Sequence, residues 1–368
     1  MPPVNLLIKP ASGACNMRCR YCFYFDELQV QQGTVGQPMS LETLELIVKR
    51  ALDVATNRCT FGFQGGEPTL VGLDFYRQLV KLQQKYNVRQ IQIDNTIQTN
   101  GLFLDDEWAD FLADHNFLVG ISLDGTQALH DANRLDLQKH GTHTRVFETV
   151  ERLQKRGVRV NILTVVTKEL AQEIDAVYHF FTRHNLVYQQ YIPCLDPLEH
   201  ERGSESYSLT PQEYGRFLKK LFDLWYADTM AGKFVYIRYF ENLISILSGQ
   251  QPECCSMFGS CSQQFAIESD GSTYPCDFYM LSPYLLGNIR TTDLETLDRR
   301  RNQLGFIQQS AKHPPQCRQC QWYPLCRNGC MRDRYQSGTL AGKNYFCSAY
   351  QDFFAYAIQR LLYCSNPG

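Results

Sequence analysis

The sequence predicts an α/β protein: a partial, TIM-like (β/α)6 barrel followed by a smaller, loop-rich C-terminal domain. Three observations predict it. Strand-like and helix-like segments alternate about six times over the first 195 residues, the pattern of a parallel sheet with helices outside. Polar and glycine-rich signatures recur just after strand C-termini, where the loops of a β/α barrel gather on one face and build active sites. From Thr210 the character changes, and ten of the fifteen cysteines crowd between Cys254 and Cys364. Six units are too few for a closed eight-fold barrel, and an open one leaves a side cleft for a large substrate.

Val4 to Lys9 (VNLLIK) reads as a first buried strand. Ser40 is the expected cap of a helix whose Leu41, Leu44, Ile47, Val48 and Leu52 recur at helical spacing. Thr60 to Phe63 is a strand ending at Gln64-Gly65-Gly66-Glu67-Pro68, and Asp74 to Tyr86 a helix with Phe75, Leu79 and Leu82 on one face. Ile91 to Ile97 alternates as a strand and ends at Gln98-Thr99-Asn100-Gly101. Then follow a helix from Asp105 to His115, a strand from Leu118 to Leu123, a helix from Thr144 to Arg156 and a strand from Val158 to Val166. A helix from Leu170 to His184 and a sixth strand from Val187 to Ile192 complete the barrel. Beyond it come an aromatic-rich helix, Pro211 to Met230, and a second at about Phe240 to Leu247. Ser269-Asp270-Gly271-Ser272 is a turn between Phe265–Glu268 and Thr273–Tyr274, and Tyr345 to Leu362 a terminal helix. The expected domains are 1–230 and 231–368.

The chain has 368 residues and a net charge of −2, which gives no overall electrostatic reason to bind nucleic acid or an anionic membrane. Met1-Pro2-Pro3-Val4-Asn5 lacks the basic start of a secretory signal, and no apolar run approaches the ~20 residues that cross a bilayer. A cytoplasmic protein is expected, in which so many cysteines point to metal or redox chemistry rather than disulfides. Neither C-x2-C is followed by His, which argues against covalent haem.

The chemistry centres on Cys15, Cys19 and Cys22, spaced C-x3-C-x2-C. A structural zinc ion takes four ligands, as does a cubane cluster held wholly by protein. Three thiolates on a cubane leave one iron open to a small molecule, and an open iron is a reaction centre. A second field comprises Cys255, Cys261, Cys276, Cys317, Cys320, Cys326, Cys330 and Cys347. Eight thiolates fill two cubane clusters or two four-cysteine zinc sites, and a loop-rich domain with little core needs such staples. Cys254 adjoins Cys255 and either could ligate, whereas Cys59, Cys194 and Cys364 carry no assigned role.

Cys15-x3-Cys19-x2-Cys22 after a first strand resembles the radical S-adenosylmethionine superfamily, and Gly65-Gly66-Glu67-Pro68 its methionine-binding motif. The cysteines from Cys261 to Cys347 resemble the SPASM extension, which carries two auxiliary [4Fe-4S] clusters. Within that group the chain is most similar to the anaerobic sulfatase-maturating enzymes, on Ile8-Lys9-Pro10-Ala11-Ser12, Cys22-Phe23-Tyr24, Phe63-Gln64-Gly65-Gly66-Glu67-Pro68-Thr69-Leu70, Gln98-Thr99-Asn100-Gly101, Cys194-Leu195-Asp196-Pro197-Leu198 and Pro275-Cys276-Asp277-Phe278-Tyr279. The resemblance spans essentially the whole chain.

The resemblance implies oxidation of a cysteine or serine of an unfolded or nascent sulfatase to Cα-formylglycine, through a 5′-deoxyadenosyl radical that removes a Cβ hydrogen. It implies three [4Fe-4S] clusters, one on Cys15, Cys19 and Cys22, with S-adenosylmethionine on the open iron. It also implies an external electron donor such as flavodoxin or ferredoxin. Asp277 resembles the family's proposed base. Tyr21, Gly66, Ser122, Arg134 and Leu195 resemble cofactor-binding positions, and Tyr24 and Gln64 are expected substrate contacts. Two other readings stand beside this one. One is a SPASM peptide maturase making thioether or carbon–carbon crosslinks, against which only fourteen residues before Cys15 leave little room for a peptide-binding domain. The other is a non-catalytic, zinc-stapled binding protein.

Overall fold

Alternation of apolar residues in Val4–Ile8 buries Val4, Leu6 and Ile8 and starts a parallel sheet. A computed structural model describes residues 3–24, 37–197, 200–334 and 342–365; Leu198 of the motif after the sixth expected strand lies outside the described residues. Its strands are β1 (Val4–Ile8), β2 (Met17–Cys19), β3 (Arg58–Phe63), β4 (Gln92–Thr99), β5 (Leu118–Ser122), β6 (Arg134–Asp136), β7 (Arg159–Val166), β8 (Tyr188–Pro193), β9 (Tyr236–Ile237), β10 (Phe265–Ile267), β11 (Ser272–Tyr274) and β12 (Gly287–Asn288). All six expected barrel strands are present, as β1, β3, β4, β5, β7 and β8. The chain divides into two compact units. One comprises Met1–Leu123, His130–Asn161 and Gln263–Leu304; the other comprises Asp124–Leu129, Ile162–Ser262 and Gly305–Gly368.

In the first unit β1, β3, β4 and β5 pair in parallel in that order. The helix Leu41–Val54 starts where Ser40 accepts the Thr43 N–H at 3.1 Å, and it buries Leu44, Ile47, Val48, Ala51 and Leu52. Helix Asp106–Asp114 is capped likewise by Asp105 on the Trp108 N–H, at 3.0 Å. The expected hairpin forms as β10 and β11, and two features were not foreseen. β10 lies parallel to β1 on its other edge, with Leu6 opposite Phe265. The short strand β2 pairs antiparallel with β6, setting Cys19 opposite Arg134. Both pairings are long-range and leave no local periodicity to read.

In the second unit β7, β8 and β9 run parallel. The helix expected from Leu170 to His184 is two, Lys168–Gln172 and Ile174–Arg183. The first ends in a tight turn in which the Glu173 N–H reaches back only to the Leu170 carbonyl, at 3.1 Å. Helix Pro211–Met230 opens with a capping box, Thr210 and Glu213 each bonding the other's backbone N–H. Its Tyr214 and Phe222 pack on Phe346 and Phe353 at ring separations of 4.6 and 5.7 Å. The terminal helix runs Cys347–Ser365, two residues later than expected, because Asn344 turns the chain first: its side chain accepts the Phe346 N–H at 2.8 Å and its carbonyl the Cys347 N–H at 3.0 Å. Arg202 sits between Asp196 and Asp333, 3.6 Å from each, with its guanidinium 4.7 Å from the Tyr345 ring centre. Among the described residues no helix is long and apolar enough to cross a membrane.

Candidate active site

The cysteine loop is built on the C-terminal end of β1. Lys9 is buried there, paired with Glu268 at 2.6 Å and lying 4.8 Å from the Tyr24 ring centre. The next turns close through Ser12 N–H to Lys9 O at 3.1 Å and Ala14 N–H to Ala11 O at 3.0 Å. Cys15, Cys19 and Cys22 follow, each half-buried. Two N–H groups point at the Cys15 sulfur, from the Met17 backbone at 3.4 Å and from Asn100 Nδ2 at 3.7 Å. Burial, followed by the nearby Glu67 carboxyl, pushes the free Cys15 thiol up to about 11. Such a sulfur needs compensating positive charge to stay a thiolate, which bound iron supplies.

Gly65 and Gly66 carry φ of 90° and 56°, and a Cβ on Gly66 would stand 2.3 Å from the Ala14 carbonyl oxygen. The Gly66 backbone thus packs directly beneath the cysteine loop, and the Glu67 N–H completes the contact with Ala14 O at 2.7 Å. The Glu67 side chain is fully buried. Its Oε1 accepts from the Thr69 N–H, the Thr69 hydroxyl and the Thr99 hydroxyl at 3.0, 2.6 and 2.7 Å, and its Oε2 from the Asn100 N–H at 2.7 Å. Burial raises its pKa and these bonds oppose the rise. Asn100 also donates to Asn16 Oδ1 at 2.7 Å. Glu67 and Asn100 were not singled out as site residues from the sequence. Their signal was present, since each lies in a glycine-marked turn directly after a strand.

Tyr21 and Arg134 come together, both buried, with the Arg134 guanidinium carbon 5.3 Å from the ring centre. The Arg134 backbone is fixed by the Thr142 hydroxyl on its carbonyl at 2.7 Å and by the β2–β6 pairing. Ser122 is buried at the C-terminal end of β5. In the second unit, Leu195 follows β8 and is half-buried beside Asp196, whose carboxylate accepts the Gly203 N–H at 3.0 Å and the Ser208 hydroxyl.

Three expected residues converge in the first unit. Gln64 Nε2 donates to the Tyr24 hydroxyl at 2.6 Å and to Asp277 Oδ2 at 3.0 Å, and the Tyr24 hydroxyl lies 3.3 Å from the same Oδ2. Asp277 Oδ1 lies 3.3 Å from the Cys276 sulfur. Burial lifts the Asp277 carboxyl above its ordinary value, while Cys276, Tyr24 and Lys9 pull it back.

The second unit gathers most of the later cysteines. Cys326 is pushed up to about 12 by burial, reinforced by Cys347, Cys317 and Cys320. Cys330 is raised by burial, then by Asp333, Cys255 and Cys261. The Cys254 sulfur rests 3.0 Å from the Ser256 hydroxyl. Cys276 belongs to the first unit, at the start of the short turn Asp277–Tyr279. Among the described residues no three Cys, His, Asp or Glu side chains close around a single ion; a four-iron cubane is wider than one ion and spreads its ligands accordingly.

The radical SAM superfamily model matches residues 10–181, and that of an iron–sulfur cluster-binding domain residues 255–321. The cysteine-type anaerobic sulfatase-maturating enzyme of Clostridium novyi is 47% identical over 369 residues, 100% of this chain and 98% of the relative. The serine-type enzyme of Bacteroides thetaiotaomicron is 31% identical over 96% of this chain and 89% of its own. A solved structure of native anSMEcpe with bound AdoMet and Cp18Cys peptide superimposes with a TM-score of 0.94, at 43% identity, over 100% of this chain and 99% of that one. These likenesses favour a sulfatase-maturating enzyme over a crosslinking maturase or a zinc-stapled binding protein. With its three-cysteine loop, the glycine turn packed beneath it and this full-length similarity, the chain belongs to the anaerobic sulfatase-maturating enzymes, radical SAM enzymes with a SPASM iron–sulfur domain.

Proposed function

We propose that this enzyme oxidises the target cysteine of a sulfatase to Cα-formylglycine, with Asp277 as the base. The observation that carries the assignment is the convergence of Gln64 and the Tyr24 hydroxyl on one oxygen of Asp277. The half-buried donor set of Cys15, Cys19 and Cys22, with N–H groups aimed at the Cys15 sulfur, fits a [4Fe-4S] cluster. Tyr21, Gly66, Ser122, Arg134 and Leu195 are the residues assigned to S-adenosylmethionine. The eight cysteines of the second field, with Cys255 rather than Cys254 among them, suffice for two auxiliary clusters. When bound, the first cluster and S-adenosylmethionine supply the electron and the 5′-deoxyadenosyl radical that removes one hydrogen atom from the substrate Cβ.

The chain's own residues manage the proton and the pose. Asp277 accepts the substrate thiol proton, and Gln64 and Tyr24 hold its carboxylate in place for that transfer. Loss of that hydrogen atom, that proton and one further electron turns the Cβ–S single bond into a thioaldehyde. Water then replaces the sulfur, giving the aldehyde and hydrogen sulfide. The extra electron leaves to an acceptor, and the first one comes from a low-potential carrier of the flavodoxin or ferredoxin type. The oxygen lability of an open-iron cluster suits a reducing cytoplasm.

The full-length similarity to a cysteine-type enzyme supports cysteine as the preferred target. Anaerobic incubation with S-adenosylmethionine, reductant and sulfatase-like peptides carrying cysteine or serine tests this by mass spectrometry. The cysteine peptide should gain the aldehyde faster. Absence of aldehyde from both peptides would overturn the assignment.

A further inference from the structure

Glu67 does more than shape the loop that carries it. It is 1% exposed and spends both carboxylate oxygens on neighbouring turns: one on Thr69 and Thr99, the other on the backbone N–H of Asn100. This bond fixes the Asn100 main chain. The Asn100 side chain is then fixed at both ends. Its Oδ1 accepts the Leu102 N–H at 3.0 Å, and its Nδ2 donates to Asn16 Oδ1 at 2.7 Å. With the amide so held, Nδ2 also stands 3.7 Å from the Cys15 sulfur. An amide with its oxygen engaged elsewhere cannot flip without losing the Leu102 bond, so the donor stays turned to the sulfur.

We propose that Asn100, locked by Glu67, is a positioning residue that sets the reduction potential of the cluster on Cys15, Cys19 and Cys22. A hydrogen bond to a ligand sulfur draws negative charge off the iron–thiolate unit and favours the reduced cluster, which carries one more electron. The Met17 N–H does the same from the backbone and cannot be removed by side-chain substitution. Asn100 is thus the part of this field that the side-chain sequence controls. Reductive cleavage of S-adenosylmethionine begins with that electron, so the rate of radical formation depends on it. The inference rests on the reading of Cys15, Cys19 and Cys22 as cluster ligands.

The test uses full-length enzyme, reconstituted anaerobically and titrated with dithionite while the reduced clusters are followed by electron paramagnetic resonance. The signal that changes on adding S-adenosylmethionine marks the first cluster. In Asn100→Leu its midpoint should move to more negative potential, with auxiliary signals unmoved and cofactor cleavage at fixed reductant slowed roughly tenfold. Asn100→Asp keeps the shape and the acceptor to Leu102 but removes the donor and adds negative charge, so its midpoint should fall further. An unchanged midpoint in variants that retain the cofactor-responsive signal overturns the proposal. Loss of that signal in both variants, with auxiliary signals intact, also overturns it, by making the amide an assembly element instead. Cys15→Ala separates the underlying reading: if a cofactor-responsive signal persists there, the ligand assignment fails whatever Asn100 does.

Discussion

Asp277 illustrates how a residue acquires a role from its surroundings. A carboxylate in a loop is ordinarily solvated, but here one oxygen is shared by an amide and a phenol and the other faces a cysteine sulfur. Asp277→Asn keeps the shape and removes the proton acceptor. Cleavage of S-adenosylmethionine should survive, while formylglycine formation falls by about 10²-fold or more, as loss of a general base entails. Deoxyadenosine and aldehyde quantified from one reaction check the split, and parallel losses would remove Asp277 from its role. Asp277, Tyr24 and Gln64 stand out in the sequence as a base and two substrate contacts because all three lie in motif stretches; that they bond one another is seen only in the structure. Glu67 and Asn100 were in view but unassigned, because a buried hydrogen-bond network is a property of distances that spacing in sequence does not encode.

At the scale of elements, the six barrel strands and their helices were legible from period-2 and helical patterning, and capping residues such as Ser40 and Asp105 lie where their chemistry requires. The break at Glu173 and the β2–β6 ribbon were not, since one depends on a single tight turn and the other on pairing across more than a hundred residues. The turn Gly65–Gly66 makes the sharpest forecast. Gly66→Ala forces a Cβ into the Ala14 carbonyl at a positive φ, so the cysteine loop must shift. S-adenosylmethionine binding should weaken at least tenfold by equilibrium dialysis while the auxiliary cluster signals persist. Thr210→Ala, in contrast, removes one side of a capping box far along the chain and should cost about 1 kcal/mol in denaturant unfolding. Activity per folded molecule should stay unchanged.

At the scale of the whole molecule, the loop-rich region of the second unit has two kinds of staple. One is ionic. Arg202 lies between Asp196 and Asp333, and removing it takes away the cation that both buried carboxylates share. Arg202→Ala should lower stability by roughly 3–5 kcal/mol, measured by chemical denaturation of the reconstituted enzyme. The other is metallic. Without iron, burial and the neighbouring cysteines keep Cys326 and Cys330 as neutral thiols, which cannot tie their loops together as metal-bound thiolates do. Iron removal should therefore open residues 254–262 and 305–334 to limited proteolysis while β1, β3, β4 and β5 stay protected. Protection of these segments in the iron-free protein would show that side-chain packing alone maintains this region.

The strand β10 gives the enzyme a schedule as well as a shape. It covers the free edge of β1, yet it emerges from the ribosome some 260 residues later, with Phe265 laid against Leu6. Until then β1 presents an unpaired edge, the usual template for unwanted association. Nascent chains ending before Gln263 should aggregate, and those released after Asn288 should not, a contrast that centrifugation of stalled translation products can read. Asp277 is made in the same late segment as β10. The sheet edge is therefore sealed and the proposed base delivered in a single event, long after β1 has left the ribosome.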